Sequence, residues 1–134
     1  MKSRIRNTIP KKIIGINIEP QKQDIIKNIA KSENAEAEFF GCEVSGQQVG
    51  YICGFKGFEK SENKCEDIND ECLIFSGINS RSLDPLLKKL REKGAAVELK
   101  AVVTAHNQSW NVGELIKELK REHLHMKGGG NNEK

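Results

Sequence analysis

The run ECLIFSGI at residues 71–78 constrains this chain more than any other segment. It is apolar at consecutive positions and is bounded by acids before it and a glycine near its end. A strand reads this way when both of its faces are covered, as in sheets that carry helices on each side. A segment of helical period follows. Leu83, Leu86, Leu87 and Leu90 share one face, Asn79 or Ser80 offers an N-cap, and Gly94 offers a left-handed stop. Pro85 fits a helix only in its first turn, which places the cap at about Ser82 or earlier.

The same alternation extends along the chain. Residues 12–18 (KIIGINI) are β-branched and predict a strand; Pro20 then opens a helix over about 21–31, with Ile25, Ile26 and Ile29 on one face. Residues 36–40 predict a second strand, and 97–103 a further one. Residues 46–54 fit a helical face through Val49, Ile52 and Cys53, weakened by Gly50 and Gly54. The last helix starts near Asn111 and aligns Val112, Leu115, Ile116, Leu119 and Met126. Strands alternating with helices predict an α/β fold of βαβ units, with a small, mostly parallel sheet of about four strands and helices packed on it. The halves also correspond: Ile13-Ile14 with Leu73-Ile74, Asp24-Ile25-Ile26 with Asp84-Pro85-Leu86, and Phe39 with Leu99. A tandem β-α-β-α duplication explains this, and with so few identities chance explains it nearly as well.

The expected organisation is a single α/β domain over 13–126. It is flanked by a disordered basic arm at 1–12 and a disordered tail at 127–134. Within it lie an N-terminal half at 13–57, a polar linker at 58–70 with too little apolar area to repay ordering, and a C-terminal half at 71–126. The 134 residues carry a formal charge of +3, too mild to imply nucleic acid. The arm is basic through Lys2, Arg4, Arg6, Lys11 and Lys12; it reads either as a solvated terminus or as a contact for an acidic partner. Cys42, Cys53, Cys65 and Cys72 have neither zinc nor redox spacing, and the early apolar run is too short for a secretory core. The expectation is therefore a cytoplasmic protein with free thiols, with no membrane contact, metal or cofactor.

The segment from 71 to 126 contains an apolar strand ending in Gly77 and a leucine-rich helix ending in Leu90-Arg91. Then come LKAV at 99–102 with Thr104, Asn107 and Trp110, and a charged helix with Glu122-His123 and Met126. In this pattern it resembles the bacterial domain-of-unknown-function family 3783. GQQVGYICGFKGF at 46–58 resembles the segment that usually precedes it in that family. The resemblance carries no activity with it. It implies that fold or function depends on Lys100, Thr104, Asn107 and Trp110.

The candidate site is the turn between the last strand and the last helix, with Thr104, His106, Asn107, Trp110 and Asn111, together with Lys100 on the strand. In a parallel sheet such a turn lies beyond the strand's carboxyl end, where free helix N–H groups favour an anion. Thr104 and Asn107 offer hydrogen bonds, and His106 a group that titrates near neutrality. A purely structural reading uses the same residues: Asn107 closes an Asx-turn, Asn111 caps the helix and Trp110 staples its start. Lys100 would have to snorkel out of a central strand or find a carboxylate. No catalytic set is recognisable. Three functions are compatible with the sequence. The first is a non-catalytic binding or regulatory module, homo-oligomeric or with a protein partner. The second is an anion or ligand binder, or small enzyme, using the turn at 104–110. The third is a nucleic-acid binder using the basic arm.

Overall fold

A computed structural model describes residues 10–132. Its elements are β1 (Lys12–Ile16), α1 (Pro20–Ser32), β2 (Glu36–Phe40), a 3₁₀ turn (Cys42–Val44), α2 (Val49–Ile52), β3 (Cys72–Ser76), α3 (Ser80–Glu92), β4 (Leu99–Val102) and α4 (Val112–Asn132). The four strands form one sheet in the order β2-β1-β3-β4. The α/β class and the βαβ units expected from the sequence are present. β1 and β2 are parallel, as are β3 and β4, while the two units meet through the antiparallel pair β1–β3.

That antiparallel seam follows from a two-fold relation between the halves. Its register sets Ile13 opposite Phe75, Ile14 opposite Ile74 and Gly15 opposite Leu73. Ile14 thus faces its own equivalent at an offset of 60, Ile13 faces the equivalent of Gly15 and Gly15 that of Ile13, and the axis passes between Ile14 and Ile74. A rotation about an axis normal to a sheet reverses strand direction, so units related in this way must pair antiparallel.

The correspondence extends into local geometry. Asn17 and Gly77 both have positive φ (58° and 71°), as do Asn34 and Gly94 (60° and 84°). α1 and α3 end in the same Schellman-type bond, Ala35 N–H to Ala30 O and Ala95 N–H to Leu90 O, each 2.8 Å. After the helices the offset becomes 63. β1 Lys12 pairs with Glu36, but β3 Cys72 pairs with Leu99, so Leu99 corresponds to Glu36 and not to Phe39. Extra residues around Ala96–Glu98 had obscured the match.

Both faces of the central strands are buried, which accounts for their unbroken apolar runs. Ile13, Leu73 and Phe75 pack under α1 and α3 with Ile26, Ile29, Leu86 and Leu90. Ile14, Ile16, Cys72 and Ile74 pack on the other face with Val49, Ile52, Val112, Leu115 and Ile116. Asn79 caps α3, its Oδ1 accepting from Ser82 N–H at 3.0 Å. Pro85 lies beyond the first turn, contrary to expectation; its missing N–H deprives the Arg81 carbonyl of a helical partner. α4 continues through Gly128–Gly130 to Asn132, where a tail was expected. No proline obstructs its ladder, at a cost of about 1 kcal/mol per glycine. The arm expected at 1–12 falls largely outside the described residues; Lys12 itself opens β1.

The linker at 58–70 has no helix or strand, yet it is tied down as a strap. Asn17 Nδ2 donates to Ile68 O at 2.7 Å and Asp70 O at 3.2 Å. Gln47 exchanges hydrogen bonds with the backbone of Ser61, and Ser45 Oγ accepts from Glu66 N–H. Ile68, itself part of the strap, is buried in the core. The disorder expected from composition overlooked these tethers, because ordering here is repaid by buried polar groups together with the buried side chain of Ile68. Ser45 and Gln47 are buried polar side chains that would be left unsatisfied without the strap.

Candidate functional site

The turn between β4 and α4 forms because Thr104 and Asn107 bond each other's backbone. Asn107 Oδ1 accepts from Thr104 N–H at 2.9 Å, and Thr104 Oγ1 accepts from the N–H groups of His106 (3.2 Å) and Asn107 (3.1 Å). Asn107 Nδ2 donates to Val102 O at 3.1 Å. Two further backbone bonds, Gln108 N–H to Thr104 O and Trp110 N–H to Asn107 O, each 3.0 Å, close the loop. The sequence motif is thus a self-contained hydrogen-bonded turn.

Trp110 is half-buried against the core under α4, and its ring meets His106 edge-on at 5.3 Å between centroids. Asn111 occupies the N-cap position of α4. Its N–H donates to Glu114 Oε1 at 3.1 Å, the returning half of a capping box.

The helix start expected to attract an anion is already engaged. Val112 N–H donates to Gln47 O at 2.8 Å, and Gly113 N–H to Ser45 O at 2.9 Å. The N-terminal half donates back: Val49 N–H to Trp110 O at 2.9 Å and Gly50 N–H to Gln108 O at 2.8 Å. These are the same two bonds seen from either side of the two-fold axis, with Gln48 and Asn111 bridged between them. An anion would have to displace backbone carbonyls and sit beside the Glu114 carboxylate, which disfavours it electrostatically.

Lys100 does not join the turn. β4 is an edge strand, so the ammonium reaches solvent without crossing a core and donates to Val97 O (2.7 Å) and Glu98 O (3.1 Å). Thr104, His106, Asn107, Trp110 and Asn111 are brought together; Lys100 is separate from them.

Sequence reasoning passed over Asn17, Ser45 and Gln47, which hold the strap and receive α4. The usable signal was the VG pair at 49–50 and again at 112–113, which marks equivalent helix starts. All four cysteines are free. Burial pushes the Cys53 thiol up to about 11 and the Cys72 thiol up to about 12, so neither supplies a thiolate near neutral pH. Among the described residues no group of His, Cys, Asp or Glu could hold a metal, and no helix is long and apolar enough to cross a membrane.

Depressions on the described surface include the following two. One of about 440 Å³ lies beside Trp110 and is lined by Glu114, Lys117, Glu118 and Arg121. The other, about 150 Å³, lies between α3 and β4 and is lined mainly by Leu87, Leu90 and Val97, with Arg91 and Lys100 at its rim. Val102 on the same edge strand is 37% exposed.

Residues 71–126 match the model of a family described as a domain of unknown function, DUF3783. The match spans β3, α3, β4, the turn and most of α4, which is one of the two related units. Comparison with the curated proteins and with the solved structures gives no match.

Proposed function

We propose that the chain is a non-catalytic interaction module whose partner is a protein surface. The observation that carries this reading is the self-sufficiency of the turn at 104–110. The Thr104 and Asn107 side chains bond the turn's own backbone, and the first N–H groups of α4 are taken by Ser45 and Gln47. Apolar surface remains available at the edge of β4 with Val102 and in the groove bounded by Leu87, Leu90 and Val97. Such a groove suits an aliphatic or aromatic side chain better than a phosphate.

The competing reading places a small anion beside Trp110, where Lys117 and Arg121 line the wider depression. Both cations already have carboxylate partners, Glu66 at 2.7 Å and Glu118 at 2.9 Å. Titration of the protein with inorganic phosphate, ATP and small carboxylates, followed by Trp110 fluorescence, separates the two. The module reading expects no saturable change. A saturable change that disappears in Asn107→Ala would overturn it. The nucleic-acid reading rests on the basic arm, which lies mostly outside the described residues. Anisotropy of a labelled oligonucleotide tests it directly.

A further inference from the structure

The two-fold axis inside this chain has the properties of an isologous interface, in which one patch meets its own counterpart. The β3 edge offers Cys72–Ser76 to the β1 edge, and the α4 start offers two N–H groups and receives two in return. The family match covers one side of this axis only. We propose that the axis-facing surface of the C-terminal unit is a docking surface for a second copy of that unit, and that in this chain the N-terminal half occupies it. The inference is independent of the module reading above.

Packing on both sides of the axis supports self-pairing. In the N-terminal unit Gly15 pairs with Phe39; a Cβ at Gly15 would lie 2.7 Å from the Phe39 ring. In the C-terminal unit the equivalent pair is Phe75 with Val102. One unit carries its bulk on the edge strand and the other on the central strand, so each fills its own space. A C-terminal unit set in place of the N-terminal one would bring Phe75 where Gly15 stands, together with the smaller Val102 where Phe39 stands. The seam would read Ile74 against Ile74, with Phe75 against Leu73 on either side. The reciprocal bonds of Gly113 and Val112 would find Gln108 and Trp110 carbonyls, as Gly50 and Val49 do now.

The test spoils the N-terminal partner in the full-length chain. Ile14 is fully buried at the axis, so Ile14→Asp places a carboxylate in the seam and releases β1. The expected result is a concentration-dependent dimer of twice the 15.0 kDa chain mass by light scattering, with hydrogen-exchange protection kept in β3, β4 and α4. Ile14→Asp with Ile74→Asp should abolish that dimer. In Ile14→Asp with Ile74→Cys, a short bifunctional thiol crosslinker should link residue 74 to residue 74 of the second copy, since directly opposed residues in an antiparallel pair have Cβ atoms about 5 Å apart. The same Ile74→Cys change with Ile14 intact should give no such link. An Ile14→Asp chain that stays monomeric, folded or unfolded, overturns the inference; so does a dimer without the link at 74.

Discussion

Asn107 shows how much one side chain holds at this turn. It accepts from Thr104, donates to the outward carbonyl of Val102 and thereby covers part of the exposed edge of β4. Asn107→Ala should lower stability by about 1–2 kcal/mol, read from the denaturant midpoint with unchanged slope. An unmoved midpoint would mean that the turn closes without it. Gly15→Val is a second residue-scale test. Its side chain would meet Phe39 and Ile18 within 2.7 Å, and overpacking of this kind costs about 1–3 kcal/mol. Gly15→Val with Phe39→Val, the sizes of the C-terminal unit brought closer, should recover part of that loss in the same assay. No recovery would argue against the size exchange across the axis.

At the scale of elements the strap is the informative piece. Its sequence is polar and without period, but Asn17, Ser45 and Gln47 convert it into a fixed segment whose own Ile68 is buried in the core. Ion pairs from Lys117 to Glu66 (2.7 Å) and Lys120 to Asp70 (3.2 Å) join it to α4, though exposed pairs of this type add about 0–1 kcal/mol each. Limited proteolysis of the wild-type chain should spare residues 61–70, while Asn17→Ala, which frees two carbonyls, should make that stretch the first internal cut. Cleavage there in the wild type at the rate of the variant would show that the tethers do not order it.

For the whole molecule, the buried thiols tie stability to alkaline pH. Cys53 and Cys72 have folded values raised by burial above an unfolded value near 9. The unfolded chain therefore releases these protons first as pH rises. Stability from these groups is constant below about pH 8 and falls between about 9 and 12. Cys72→Ala should flatten part of that fall in urea midpoints measured from pH 8 to 10.5, although it also loses packing. In native protein at pH 8 an alkylating reagent should modify exposed Cys65 and leave Cys53 and Cys72 intact until denaturant is added. Equal labelling of all four would contradict the burial.

The sequence by itself determined the alternation of elements, because local period, caps and turn residues are local properties. Asn79, Gly94 and the leucine face of α3 were legible for that reason, and so was the turn built on Thr104 and Asn107. The two faces of the central strands were legible too, since an unbroken apolar run has no other home. The tertiary structure alone decided the antiparallel seam, the place of β4 at the edge and hence the harmless exposure of Lys100. It also decided that α4 begins against Ser45 and Gln47 instead of a free ligand site. These depend on residues some 60 positions apart meeting across an axis, and a meeting at that separation leaves little trace in local composition. The two-fold relation could be glimpsed in Ile13-Ile14 and Leu73-Ile74. Its register stayed hidden because the extra residues near Ala96–Glu98 shift the second half, and the large and small side chains trade places across it.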